Sequence, residues 1–216
     1  ATMQSLRGMC MQGVSTDHEA MIGELMVSNG FIEMPRCLVT RKPKRIRDLN
    51  WIDKPHLAAH IPNGVFIHQP FGTQQSPDFI VKINSRFVLF LEAKSTNAAN
   101  RPTYNSGGIH PDFLYVFSSF RTNDTTIFKG DSVITHEQLR LINAHRDRLT
   151  AIDNELNTQL ILSDTNGRGI NFYSRSSITQ VGGSPKTDYF GHAQRISSEN
   201  AAIEWLRLRC ASDDMA

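Results

Sequence analysis

The chain reads as a single α/β domain with a mixed central β-sheet flanked by α-helices, and three observations predict it. Short apolar, β-favouring runs bounded by Gly, Pro, Asn and Ser cluster in the middle of the sequence. Segments with apolar residues at helical spacing precede and follow them. At 216 residues with an ordinary apolar fraction, the chain is long enough to bury one full core and has no need of a second.

Taken in order, a helix is expected from Asp17 to Asn29. Ser15 and Thr16 supply capping hydroxyls, Met21, Ile22, Leu25 and Met26 recur at helical spacing, and Gly30 stops it. Phe31 to Pro62 is irregular and basic. Pro35, Pro43, Pro55 and Pro62 forbid long regular elements there, leaving one short helical turn over Pro55-His-Leu-Ala-Ala-His60, so the segment reads as a surface insertion. Strands are expected at Val65 to His68, Asp78 to Ile83, Phe87 to Ala93 and Phe113 to Phe117. Thr135 opens a second helix, with Glu137 and Gln138 in its first turn and Leu139, Ile142, Leu149, Ile152 and Leu156 as a buried stripe. Gln159 to Leu162 reads as a further strand. From Ser163 to Arg195 the composition turns polar and Gly-rich with isolated aromatics. Ser197-Ser198-Glu199 then caps a last helix carrying Ile203, Trp205, Leu206 and Leu208. The expected organisation is one domain over 1–216: a core over about 17–163, a polar segment over about 164–196 and a C-terminal helix over about 197–210.

Several function classes lose support at once. Cys10, Cys37 and Cys210 are odd in number and far apart, which indicates neither a disulfide framework nor a zinc knuckle and fits a reducing, cytoplasmic compartment. No apolar run approaches the length of a membrane span, and the amino-terminal residues lack a signal-peptide pattern, so no membrane partner is expected. No GxSxG, Gly-rich phosphate loop or dinucleotide fingerprint is present. His56 and His60 are four apart without a third ligand and read as surface histidines, and His136 and His145 sit on the long helix without a nucleophile nearby.

The chemistry concentrates in two adjacent apolar runs, Pro77-Asp78-Phe-Ile-Val and Phe87-Val-Leu-Phe-Leu-Glu92-Ala93-Lys94-Ser95. Strands normally hide apolar side chains, so carboxylates at the ends of both runs call for a reason, and divalent-metal binding supplies one. Residues two apart on a strand share a face, so Glu92 and Lys94 project together. If the two runs form a hairpin with a three-residue loop, Asn84-Ser85-Arg86, Ile83 opposes Phe87 and Asp78 falls opposite Glu92. A two-residue loop would place Asp78 against Leu91, on the wrong face, so the chemistry favours the former register or a bulge that restores it. Opposed residues lie about 4.5–5.5 Å apart at Cβ, close enough for two carboxylates to share one cation. Mg²⁺, with Mn²⁺ as a substitute, fits a ligand set of Asp78, Glu92 and the Ala93 carbonyl, with Lys94 placed to orient or deprotonate a water.

Pro77-Asp78, thirteen intervening residues and then Glu92-Ala93-Lys94 resemble the PD-(D/E)xK nuclease motif. The resemblance spans roughly residues 17 to 117 and reaches Glu19, similar to the helix glutamate that often completes the metal site in that superfamily; Glu24, on another face of the helix, competes for that role. Gln69-Pro-Phe-Gly-Thr-Gln-Gln75-Ser-Pro-Asp78, with Ser95, Tyr104-Asn105-Ser106 and the strand from Phe113, looks most like the type II restriction endonucleases. The resemblance implies a restriction-endonuclease-like core, Mg²⁺-dependent cleavage of double-stranded DNA at specific sequences, and a two-fold homodimer in which each subunit cuts one strand, within a bacterial, archaeal or phage setting. Catalytic roles fall to Asp78, Glu92, Lys94 and Glu19, and metal ligation to Asp78, Glu92, Ala93 and Glu19. Two other readings stay open: a structure-specific or repair nuclease, and a DNA-binding module with an inactive site.

Net charge is only +2, yet Arg36, Arg41, Lys42, Lys44, Arg45 and Arg47 crowd one segment. Of these, Arg41, Lys42, Lys44 and Arg45 are candidates for phosphate contact, against the usual fate of a charge run as a solvated loop. Arg168, Arg175, Gln180 and Lys186 are side chains of the kind that bond base edges, and Gln75, Ser95 and Asn105 flank the motif. Asp112, which also opens an apolar run, has no following acid-x-Lys and reads as a structural turn.

Overall fold

Six strands form one sheet in chain order: β1 (Ile32–Glu33), β2 (Val65–His68), β3 (Phe79–Asn84), β4 (Phe87–Thr96), β5 (Leu114–Ser119) and β6 (Asp124–Lys129). β1/β2 and β4/β5 run parallel and the other neighbours antiparallel, so the sheet is mixed and the protein α/β. The structure is a computed structural model, and it describes residues 2–7, 18–39, 51–73, 75–97, 101–104, 108–181 and 189–211. The basic cluster Arg41, Lys42, Lys44, Arg45 lies outside the described residues, as do Asn105, Lys186, Cys10 and Asp17.

The sheet is covered unequally on its two faces. One face carries Phe66, Phe79, Val81, Leu89, Leu91, Ala93, Leu114 and Val116, and takes Leu6 of α1 (Thr2–Leu6), Ile22 and Met26 of α2 (His18–Ser28), and Ala202, Ile203 and Leu206 of α4 (Arg195–Cys210). The other carries Ile80, Val88, Phe90, Tyr115, Phe117 and Phe128. It is packed mostly by irregular chain: Trp51, Ala58, Ile61, Tyr104, Ile109, Phe113 and Tyr189. Because both faces of β4 are covered, Phe87 through Ala93 are all buried, which explains its unbroken apolar run.

Several expected boundaries hold closely. Val65–His68 is a strand, Pro55–Ala58 is one 3₁₀ turn, and α2 ends at Ser28 with Gly30 at φ +89°, where a side chain would be strained. Strand β6 and the two-residue β1 carry no clear sequence signal. In β6 the polar residues are hidden by pairing rather than exposed: the Ser118 and Thr125 hydroxyls lie 2.9 Å apart, and Thr126 Oγ1 donates to Glu199 Oε1 at 2.8 Å. Gly130 follows β6 where only glycine fits, since a Cβ there would stand 2.0 Å from the His110 carbonyl oxygen.

The long helix α3 (His136–Ser163) departs most from expectation. Thr135 does cap it, with a reciprocal bond pair to Gln138, but the helix continues through Gln159–Leu162, which is not a strand. No residue of α3 is fully buried. Leu139 and Ile142, both partly buried, pack on the second core at the helix base, whereas Ile152 is 61% exposed and Leu156 38%, so the stripe read as buried meets the core only there. The following segment runs back along the helix as a strap. Asn157 exchanges two hydrogen bonds with the Phe172 backbone, Asp153 accepts from Ser174 N and Oγ, and Arg146 Nε donates to Ser176 Oγ. The strap rejoins the body at an antiparallel bridge between Ile178 and Tyr104.

The last helix begins at Arg195, two residues earlier than expected. Ser197 and Ser198 therefore lie inside it, and Glu199 is buried rather than capping. Arg195 grips Asp124 through both terminal nitrogens at 2.5 and 3.0 Å and bonds Glu199 at 2.8 Å, while Arg7, just after α1, holds Glu199 at 2.7 Å. Leu208 faces solvent at 67% exposure.

Candidate functional site

The geometry of the site begins at the β3–β4 turn. Asn84 pairs with Phe87 and the chain reverses over Ser85 and Arg86, tightened by Asn84 Oδ1 accepting from Arg86 N at 3.0 Å. A two-residue turn at this position would put Asp78 opposite Ala93. A bulge between Lys82 and Asn84 takes up one residue, and beyond it Lys82 pairs with Val88 and Phe79 with Leu91. One step further outward along that register, Asp78 stands opposite Glu92. The three-residue loop is thus replaced by a tighter turn plus a bulge, which restores the same alignment.

β4 runs on to Thr96 while β3 begins only at Phe79, so the Ala93 amide extends past the β3 ladder. Asp78 Oδ2 accepts from it at 2.8 Å, the side chain standing in for a missing strand carbonyl. The N–H and C=O of one strand residue share an edge, so the Ala93 carbonyl faces the same side as Asp78. Glu92 is buried and held at both oxygens: Ser76 Oγ donates to Oε2 at 2.5 Å and Lys94 Nζ to Oε1 at 2.5 Å. These bonds fix the carboxylate's orientation and leave further lone pairs on each oxygen.

Glu19 arrives from the first turn of α2, above the other sheet face, and reaches the same rim. His68 Nε2 lies 2.9 Å from Glu19 Oε2, and because an ionised carboxylate only accepts, that nitrogen carries the proton. Gln69 Nε2 donates to the same oxygen at 3.1 Å, and the His68 ring stacks on Phe79 with centroids 4.8 Å apart. Burial, first, and then the charges of Glu92 and Glu19 push the Asp78 carboxyl up to about 7, against the lowering effects of Lys94 and the Ala93 amide. Tyr115, the register partner of Glu92 on β5, is fully buried beneath the pair, and burial followed by the Glu92 charge drives its phenol well up. Its hydroxyl accepts from His110 N at 2.9 Å.

No family model, curated protein or solved structure matches this chain. The site therefore rests on its own geometry. Asp78, Glu92, Lys94 and Glu19, distant in sequence, meet at one end of β3 and β4. Ser76, His68 and Gln69 join them and were not singled out from sequence. A signal existed for His68, which ends an apolar run that pairs antiparallel with β3 and so must finish at the rim where β3 starts. Glu24 is exposed on α2 and lines, with Glu19, Glu33, Phe66 and His68, a cleft of about 480 Å³ beside the site. Its acidic rim is unsuited to a phosphate chain.

Other candidate contacts are scattered. Gln75 and Ser95 are exposed near the rim, Arg168 and Arg175 are exposed on the strap, and Arg175 lies over the Tyr173 ring at 5.5 Å. Gln180 accepts from the Tyr189 hydroxyl at 2.6 Å, an internal bond that accounts for its side-chain oxygen without a base. His136 pairs with Asp112 at 2.8 Å across the turn before β5, and His60 lies 3.0 Å from the Leu38 carbonyl. Cys37 and Cys210 are exposed and outside any disulfide among the described residues, and among those residues no helix is long and apolar enough to cross a membrane.

Whether the residues suit a divalent cation depends on the donor set. Among the described residues no three His, Cys, Asp or Glu form a ready-made metal cage. Mg²⁺ does not need one: it is held by one or two carboxylates and keeps several waters. Two carboxylates, a nearby backbone carbonyl and an Asp78 whose charged form is disfavoured first by burial and then by the charges of Glu92 and Glu19 suit such a hard cation.

Proposed function

We propose that this chain is a divalent-metal-dependent nuclease of the PD-(D/E)xK type with a restriction-endonuclease-like core, cutting double-stranded DNA at specific sequences as a type II restriction enzyme does. The observation that carries the reading is the meeting of Asp78, Glu92 and Lys94 at one strand end, in a register that a bulge sets. Asp78 and Glu92 would hold the cation with the Ala93 carbonyl, and Glu19 stands at the edge of the same group. When bound, Mg²⁺ supplies Lewis acidity toward a phosphate oxygen and lowers the pKa of a coordinated water. The chain's own residues do the rest. Lys94, its ammonium fixed by Glu92, places positive charge where the pentacoordinate phosphorus builds negative charge and gives the attacking water a fixed donor. Ser76 holds the other Glu92 oxygen, and His68 with Gln69 hold Glu19, so the carboxylates keep their orientation when substrate arrives. Exposed Gln75 and Ser95 flank the rim as candidate DNA contacts. Cutting both strands of a duplex calls for two copies about a two-fold axis.

Incubation with a sequenced phage DNA and Mg²⁺ tests the reading. Discrete fragments are expected. A smear would instead mark a structure-directed or unspecific nuclease, and a gel shift without cutting would mark an inactive binding module. Asp78→Ala, Glu92→Ala and Lys94→Ala should each lower cleavage by roughly 10³-fold or more while DNA is still bound. Cleavage by Asp78→Ala at the wild-type rate would overturn the site.

A further inference from the structure

We infer that the bare face of α3 is a self-complementary surface that docks antiparallel on the α3 of a second copy of this chain. The inference goes beyond the nuclease reading and does not depend on it. At 100° per residue, Leu141, Arg148, Ile152, Glu155 and Leu162 fall within about 80° of arc on one face of the helix. All five are exposed, with Leu141 at 54%, Ile152 at 61% and Leu162 at 81%. The strap occupies the opposite side through its bonds to Arg146, Asp153 and Asn157, so it does not cover this stripe. Three large apolar side chains thus share one uncovered stripe along a helix of about 42 Å, with Ala144 and Gln159 between them.

The order of residues along the stripe identifies the occupant. Reading outward from Ile152, Arg148 lies four positions before and Glu155 three after, and Leu141 lies eleven before and Leu162 ten after. Set two such helices antiparallel with the two-fold axis beside Ile152. Arg148 then faces Glu155 of the other copy twice, Leu141 faces Leu162 twice, and the two Ile152 side chains meet at the centre. Within one chain Arg148 and Glu155 are seven residues and about 10 Å of rise apart, too far to pair with each other. The wider charge balance leans the same way: the first half of α3 sets Arg140, Arg146 and Arg148 against Glu137 and Asp147, with Arg140 paired to Glu137, whereas residues 149–163 hold Asp153 and Glu155 and no base. A parallel pair would oppose like charges, and an unrelated partner would have no reason to find a helix that complements itself.

The test is the solution mass of the full chain by sedimentation equilibrium across a concentration series. The wild type should be a dimer, and Arg148→Glu should weaken it by at least about tenfold through like charges at both ends of the pair. Adding Glu155→Arg to that variant should restore association, a rescue that damage to the fold would not produce. Orientation is read by oxidation with the native cysteines replaced by serine. Ile152→Cys should cross-link to itself, while Leu141→Cys should cross-link only when Leu162→Cys is also present. A wild type that stays monomeric at the highest soluble concentration, a charge swap without rescue, or self-cross-linking of Leu141→Cys alone would each overturn the inference. None of these readouts involves metal or DNA, and the charge-swap and cross-linking outcomes bear on the α3 surface alone, whereas loss of cleavage by the rim variants bears on the nuclease reading.

Discussion

The rim of the sheet and the α3 arm use similar apolar residues to opposite ends. Along β4 every side chain from Phe87 to Ala93 is buried between two cores, and Glu92 is buried with them. Along α3 no side chain is fully buried, although leucine and isoleucine recur through its length. The difference shows what places a polar group usefully: the rim residues are held from two layers and through register, whereas the arm is anchored only at its base and by its strap. In the first environment Asp78 has its protonation shifted and Glu92 has its direction fixed. In the second, Glu155 stands exposed to solvent and open to another molecule.

The largest expected contrast comes from truncating each region. Phe90→Ala should cost about 3–5 kcal/mol, because it opens a cavity where Phe90 meets Phe113 edge-on at 5.3 Å. Urea unfolding would measure it, and a loss under 1 kcal/mol would mean that the second core is far looser than described.

An intermediate effect follows from Asp78. Its folded-state pKa lies near 7, above its ordinary 3.8, so the native state holds the extra proton between those values. Stability is therefore lost as pH rises through that window, and the penalty is absent below about pH 4. Asp78→Asn, which keeps an acceptor for the Ala93 amide, should match the wild type near pH 4 and exceed it by roughly 2–4 kcal/mol at pH 8 in the absence of metal. A gain that does not vary with pH would remove the account of Asp78 as a carboxyl raised by burial and by its acidic neighbours.

The smallest effect belongs to the arm. Ile161→Ala, at a position 71% exposed and off the self-complementary stripe, should change unfolding free energy by less than about 0.5 kcal/mol. A larger loss would show that the arm is packed by the described body after all.

Much of the rim was legible because strand periodicity and chemistry constrained each other. Requiring Asp78 and Glu92 to face one another selected a register, and the structure reaches it by an Asn84 turn and a bulge at Ile83. The details of that turn were hidden because two different loops give the same outer alignment. His68 and Ser76 were missed because their roles depend on which strands neighbour each other and where each ends. α3 misled for a physical reason: an apolar run of Leu160-Ile161-Leu162 fits a buried strand or a helix end equally well, and neither Gly nor Pro interrupts the helix before Gly167. Its stripe of leucine and isoleucine implied burial, but periodicity says only that residues share a face, not that anything covers it. β6 escaped notice because Thr125 and Thr126 are satisfied by partners from β5 and α4, contacts with no local signature.

The central claim is that Asp78 and Glu92 form one cation-binding pair whose like charges are resolved by a metal. Calorimetric titration of Mg²⁺ at pH 7 in buffers of different ionisation heat tests it most directly. With the Asp78 carboxyl raised to about 7, binding at that pH should release protons in the wild type, and Asp78→Asn should abolish that release and weaken binding. Mg²⁺ binding that is unchanged in Asp78→Asn, or that releases no proton in the wild type, would contradict the account.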